Sequence, residues 1–132
     1  PMAWDGTPNA GFSAVEPWLP LHQDWRTRNV ANQRNDPGSM LTLYKELLQL
    51  RRSQPALSIG SLHLDQGSDH VLSYKRERQG SRIQVLLNLS NTERLLPDGS
   101  PQGEVLLSTL GNQPPERWLR PDEGLIIRLA DA

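Results

Sequence analysis

Asp36-Pro37-Gly38-Ser39-Met40-Leu41-Thr42-Leu43-Tyr44-Lys45-Glu46-Leu47-Leu48-Gln49-Leu50-Arg51-Arg52-Ser53 is the stretch whose period fixes the rest of the chain. It predicts a helix over 36–53. Asp36 is the expected N-cap, and Pro37 then falls at the first helical position, where its missing N–H costs nothing. Arg51 and Arg52 lie in the last turn, where positive charge suits the helix dipole, and Pro55 lies beyond them as the stop signal. The apolar residues Met40, Leu41, Leu43, Tyr44, Leu47, Leu48 and Leu50 cover about half of the circumference, whereas a helix packed on one side needs a stripe of only about 100°. Such a helix calls for contact on two sides, and the remaining sequence offers one.

C-terminal to this helix the texture becomes β. Strands are expected at Ile59–Leu64, Val71–Arg76, Ile83–Leu89, Glu104–Thr109 and Leu125–Leu129, with a short sixth around Thr92–Leu96. Turn formers separate them: Asp65-Gln66-Gly67, Arg78-Gln79-Gly80, Pro97-Asp98-Gly99 and Pro121-Asp122-Glu123-Gly124. Within Ile83–Leu89, Ile83, Val85 and Leu87 share one face, while Leu86 points the other way and also reads as buried. Short strands with frequent turns and no intervening helix predict an antiparallel sandwich or barrel.

N-terminal to the helix, residues 1–35 have neither period. They are rich in Pro, Gly and Asn and carry Trp4, Phe12, Trp18 and Trp25. A structureless loop longer than about 12–15 residues is uncommon in a compact domain unless it is functional or disordered. Disorder fits poorly with so much Trp and Phe. The stretch is expected to be an active-site loop separated from its scaffold.

Composition narrows the function classes. In 132 residues there are 14 basic and 15 acidic side chains, a net charge of -1, so neither nucleic acid nor an anionic membrane is an expected partner. With no cysteine there is no disulfide, thiolate nucleophile or Cys-type zinc site. No apolar run approaches the roughly 20 residues needed to cross a bilayer, and Pro1-Met2-Ala3-Trp4-Asp5 lacks the features of a signal peptide. A cytoplasmic location is the expectation.

The segment Pro1-Met2-Ala3-Trp4-Asp5-Gly6-Thr7-Pro8-Asn9-Ala10-Gly11-Phe12-Ser13 resembles a motif of one branch of the α-amylase superfamily, glycoside hydrolase family thirteen. That branch holds α-glucosidases, oligo-1,6-glucosidases, trehalose- and sucrose-converting enzymes and related amino-acid-transporter heavy chains. Glu16-Pro17-Trp18-Leu19-Pro20 and Asn29-Val30-Ala31-Asn32-Gln33 resemble the rest of the loop that follows the last strand of the family's (β/α)8 TIM barrel. Residues 36–52 resemble its final helix, and Pro55-Ala56-Leu57 the link into a C-terminal β-sandwich. Val85-Leu86-Leu87-Asn88-Leu89-Ser90 is similar to a middle strand of that sandwich.

The resemblance implies an α+β chain: a loop and one helix from the end of a barrel over residues 1–58, then an antiparallel β-sandwich over 59–132. It implies a parent enzyme that is a retaining α-glucosidase on short gluco-oligosaccharides or disaccharides. The nucleophile, the acid/base and a second aspartate would lie at the ends of barrel strands. The motifs bearing them are not in this sequence. No residue here matches a catalytic position, and the chain alone is expected to be inactive.

By the loop's location above the barrel, Trp4, Asp5, Asn9 and Phe12 are the candidate substrate-binding residues. An aromatic face stacks on a pyranose and a carboxylate accepts from its hydroxyls. Against this, the favoured readings have Trp4 packing the loop onto the barrel and Asp5 bonding its backbone, and Phe12 serves as a packing anchor more than as a sugar platform. Asn9, Gly11 and Phe12 should form a turn with positive φ at Gly11. Trp18 and Trp25 are expected to pack on the absent barrel, and Trp118, after Pro114-Pro115, to lie at a loop edge. His22, His63 and His70 lack the spacing of metal ligands, and Ser39, Ser58 and Ser90 lack a nucleophile context, so no metal or cofactor is expected. The expected partners are α-glucosides through the parent enzyme and the missing barrel, with a homodimer through the exposed helix as a further contact. The rival functions are a stand-alone carbohydrate-binding β-sandwich and a trehalose- or sucrose-converting member of the family.

Overall fold

Helix α2 (Met40–Ser53) forms where the leucine period predicts it, but it begins later than Asp36. The Asp36 carboxylate accepts from Gly38 N–H at 2.9 Å and closes a turn of its own. The cap is Ser39, whose Oγ accepts from Thr42 N–H at 3.2 Å, and the Gln33 side-chain carbonyl accepts from Leu41 N–H at 3.1 Å. A serine one residue before the first apolar position satisfies the orphan N–H of Thr42, which Asp36, six residues before it, does not reach. Although rich in leucine, α2 has no buried residue. Met40, Tyr44 and Leu48 are all more than half exposed.

The computed structural model describes residues 1–65, 68–97, 101–111 and 116–130, which divide into two compact units, Pro1–Glu46 and Leu47–Ala132. The first unit contains the left-handed turn Pro8–Gly11 and the short helix α1 (Val30–Arg34) ahead of α2.

In the second unit, Pro55 does more than end α2. It opens a further helix, α3 (Pro55–Ile59), so Ile59, expected in a strand, closes a helix instead. Proline has the φ of a first helical turn, and one residue can therefore stop one helix and start the next. Gly60 joins α3 to the sheet. A Cβ there would lie 2.4 Å from the Ala56 carbonyl oxygen and 2.8 Å from that of Glu77, so the approach is open to glycine alone.

The strands are β1 (Ser61–Leu64), β2 (Val71–Arg78), β3 (Ser81–Asn88), β4 (Arg94–Leu95), β5 (Gly103–Ser108), β6 (Trp118–Leu119) and β7 (Gly124–Leu129). Five form an antiparallel sheet in the order β1-β2-β3-β7-β5, and β4 pairs with β6 in a two-stranded ribbon. Trp118, expected at a loop edge, belongs to that ribbon. The β2–β3 hairpin turns on Gln79 (φ 49°) and Gly80 (φ 83°), the two positive φ values of a type I′ turn. Gln66, Gly67, Asp98 and Gly99, read as turn residues, and Pro114-Pro115 ahead of Trp118 lie outside the described residues.

Leu119 of the ribbon and Leu96, the residue after β4, pack with Val71, Leu86, Leu125 and Ile127 of the sheet to form the core, so the second layer of the β unit is a two-stranded ribbon. Central β3 is buried on both sides. Leu86 faces the ribbon, while Ile83 and Val85 face the side on which α3 packs, where Ala56 is fully buried. Each such side chain withdrawn from water contributes about 1.5–3 kcal/mol before entropy is counted. On the α3 side of the sheet, Leu62, Leu64 and Leu72 remain 57%, 71% and 40% exposed.

Three polar groups organise the ends of the sheet. Glu123, 1% exposed, accepts from Ser108 Oγ (2.6 Å), Arg120 Nη2 (2.6 Å), Arg120 Nε (3.1 Å) and Arg120 N–H (2.8 Å). Asn88, 3% exposed, donates to the carbonyls of Thr92 and Arg120, both at 2.8 Å, and accepts from Ser90. Asp65 accepts from Ser73 Oγ at 2.6 Å and from Lys75 Nζ at 3.1 Å. Burial opposes ionisation of Asp65 and Glu123, but the donors around each outweigh it and hold both below the usual carboxylate range.

Candidate functional site

The four candidate residues meet in one hydrogen-bonded loop of the first unit. The backbone at residues 3–5 is held from two sides. Trp4 N–H and Asp5 N–H both donate to the Ala10 carbonyl, at 2.9 and 3.3 Å, while Val30 N–H and Ala31 N–H donate to the carbonyls of Ala3 and Trp4 at 3.0 and 2.9 Å. The leading motif is thereby bound both to its own turn and to the start of α1.

That turn is left-handed over three residues: Asn9 (φ 55°), Ala10 (φ 58°) and Gly11 (φ 64°). Asparagine and glycine adopt this region readily. Alanine does so at a cost of about 1–2 kcal/mol, offset here by complete burial and by the two N–H groups its carbonyl accepts. The positive φ at Gly11 is as the sequence predicts. Alanine gives no sequence signal of this conformation.

Asp5 forms a local turn, accepting from Thr7 N–H at 2.8 Å and Thr7 Oγ1 at 2.5 Å through the same oxygen. These bonds, the side-chain one first, hold its carboxyl below the usual range. A Cβ built on Gly11 would lie 2.7–2.8 Å from the Asp5 carboxylate atoms, so the carboxylate sits against the glycine. Asn9 donates from Nδ2 to the Ser13 carbonyl at 3.2 Å, and its own carbonyl accepts from Phe12 N–H at 3.0 Å. Asp5 and Asn9 thus hold backbone and neighbours, whereas Trp4 and Phe12 are each 48% exposed.

Two further residues shape the loop and were not among the candidates. Asn29, 2% exposed, caps α1 by accepting from Asn32 N–H at 2.9 Å and donates to the carbonyls of Trp25 (3.0 Å) and Arg26 (3.2 Å). An asparagine directly before Val30-Ala31-Asn32-Gln33 is a legible N-cap signal. Asp24 pairs with His22 Nδ1 and, at 3.0 Å, with Arg28 Nε; its carboxyl lies below the usual range, first through the His22 hydrogen bond. Arg26 stacks over Trp25, 4.4 Å from the ring centre. Trp18 is 90% exposed, and a surface depression of about 460 Å³ is walled in part by Met2, Val30, Met40, Leu41 and Tyr44.

Among the described residues no three His, Asp or Glu side chains converge on a point where they could hold a metal ion. The loop is tied together by backbone and side-chain hydrogen bonds and leaves Trp4 and Phe12 half-exposed. It holds no pair of opposed carboxylates for acid and nucleophile.

The profile of the α-amylase family (Alpha amylase, catalytic domain) matches residues 1–60. An α-glucosidase of Pediococcus pentosaceus is 35% identical over 133 residues, covering 98% of this chain and 24% of that protein. A glucan 1,6-alpha-glucosidase of Streptococcus pneumoniae is 31% identical, with 98% of this chain and 24% of that protein covered. Among solved structures, trehalulose synthase MutB from Pseudomonas mesoacidophila superposes with a TM-score of 0.84 at 30% identity, covering 96% of this chain and 24% of that one. The chain spans about a quarter of the length of these relatives. Among the described residues no helix is long and apolar enough to cross a membrane. With the family match over residues 1–60 and alignment of 98% of its length to an α-glucosidase, the chain belongs to the α-amylase family as an α-glucosidase-like member.

Proposed function

We propose that this chain is the non-catalytic portion of a retaining α-glucosidase that acts on short α-gluco-oligosaccharides or disaccharides. Residues 1–58 supply the loop above the barrel and its final helix, and residues 59–132 form the β unit that stabilises the barrel. The observation that carries this proposal is the bare apolar surface of the first segment. Val15 is 72% exposed, Trp18 90%, Met40 61% and Tyr44 60%, although a solvent-facing surface has no use for four such side chains in one small unit. Their natural cover is the rest of a (β/α)8 barrel, with which the chain would also share its α-glucoside substrates. The same stripe on α2 would join two copies of the isolated chain, and the cytoplasm is the compartment we assign.

In the parent enzyme two carboxylates from outside this chain would carry out double displacement through a covalent glucosyl intermediate. Trp4 and Phe12 would face the sugar and exclude water, while Asp5 and Asn9 would keep the loop in shape. A second reading, a sucrose-converting enzyme, is favoured by the likeness to trehalulose synthase, a structure of which holds the substrate sucrose.

Two assays test the proposal. The purified chain should release no glucose from maltose, isomaltose or a nitrophenyl glucoside, and turnover abolished by changing one of its own carboxylates would overturn it. Grafted in place of the matching quarter of the Pediococcus α-glucosidase, the chain should support hydrolysis. A graft that folds but neither hydrolyses maltose nor isomerises sucrose would count against both readings.

A further inference from the structure

We infer that Asp5 is a positioning residue that aims Trp4 at the sugar and is not itself a sugar ligand. The sugar as substrate class rests on the α-glucosidase proposal above. Three features of the loop converge on this role. First, one of the two oxygens of Asp5 already accepts both Thr7 donors, at 2.8 and 2.5 Å, and is committed within its own loop. Second, the carboxylate occupies the space that a Cβ on residue 11 would need. Glycine at 11 therefore makes room for the acid, and the acid fills the gap behind a turn whose three residues all lie in the left-handed region. Third, the product of that turn is the Ala10 carbonyl, which accepts from the backbone N–H of Trp4 and of Asp5.

The chain of support runs from Thr7 through Asp5 to Gly11, on to Ala10, and from there to the backbone of Trp4. Trp4 is half-exposed, so its ring has a free surface to offer. Aromatic faces carry the negative side of a ring quadrupole and receive the C–H groups of a pyranose. An aromatic contact is directional, and loosening the backbone beneath it disperses the ring over several orientations. Asp5 therefore affects how tightly substrate is held and leaves bond cleavage, performed by groups elsewhere, little changed.

The test has two arms. In the isolated chain, hydrogen exchange at the amides of Trp4 and residue 5 should accelerate about tenfold in Asp5→Ala, the loss of a bond of ordinary strength. It should stay near wild type in Asp5→Asn, because asparagine keeps the acceptor for the local turn. In the Pediococcus graft, W4A and D5A should each raise KM for maltose with kcat altered less than about twofold, and W4A/D5A should raise it no further than W4A alone. Unchanged exchange in D5A overturns the inference, as do KM effects that multiply in the double variant. A graft without any turnover counts against the α-glucosidase proposal, and the exchange arm then decides the role of Asp5 by itself.

Discussion

Glu123→Gln should destabilise the β unit by about 2–3 kcal/mol at neutral pH. The carboxylate is 1% exposed and accepts four hydrogen bonds, three of them from Arg120 and one from Ser108. Glutamine matches its volume but keeps one acceptor oxygen, and its amide turns donors towards donors. Two charge-assisted bonds are lost, each of about 1.5–3 kcal/mol. Part of that is recovered because the Arg120 side chain is 36% exposed and can reach water, and because the variant no longer buries a charge. In a unit of this size the change corresponds to a fall in Tm of roughly 10–20 °C.

Urea denaturation, followed by circular dichroism across a pH series, measures the effect. Folding lowers the Glu123 pKa from its ordinary value of 4.5. A carboxyl with a depressed pKa contributes stability above its unfolded value and loses it as pH falls through the folded value. The gap between wild type and E123Q should therefore be full at about pH 7 and shrink steadily below about pH 4.5. Asp65 is depressed too and will leave an acid-sensitive component in both proteins. A gap smaller than about 0.5 kcal/mol at neutral pH, or one that persists undiminished into acid, would refute the reasoning.

Further expectations concern single sites. Gly11→Ala places a Cβ 2.7 Å from the Asp5 carboxylate at a φ of +64° and should cost more than about 1 kcal/mol, read as a lower unfolding midpoint of the first unit. Ser39→Ala removes the cap of α2 and should cost about 1 kcal/mol by thermal melting, more than Asp36→Ala does. Gly60→Ala drives a Cβ into two backbone carbonyls; its urea midpoint should fall further than that of any of the cap variants. Trp18→Ser, at a 90% exposed site, should leave the isolated chain within about 0.5 kcal/mol of wild type yet lower the Tm of the grafted enzyme, where the ring would be covered.

Much of the fold was legible because its elements are long enough to show a period. The leucines of α2 and the apolar runs of β3 and β7 are such cases. Of the elements below that length, β4 falls within the short strand expected around Thr92–Leu96, whereas α1, α3 and β6 were missed. β6 is two residues, Trp118 and Leu119, too few to alternate, and α3 hides behind a proline that reads equally well as a stop. At the start of α2, Asp36 and Ser39 are both good caps; position relative to the first hydrogen-bonded turn decides, and sequence alone does not give it. In the site, the turn was foreseeable from Asn9 and Gly11, but nothing in the side chain of Ala10 announces a left-handed backbone. The burial of Glu123 was equally hidden, since an acidic residue between Pro121-Asp122 and Gly124 reads as an ordinary exposed turn.

Asn88-Leu89-Ser90 has the form of an acceptor for N-linked glycan, yet the Asn88 amide is enclosed and both of its hydrogens are engaged, by Thr92 and Arg120. Attaching a saccharide to that nitrogen would remove one of these donors and force a bulky polar tree into space the two turns already occupy. Modification and folding at this site are therefore mutually exclusive. A chain decorated there before the β3–β4 turn closes would be held open, and one that has closed would be refractory to the transferase.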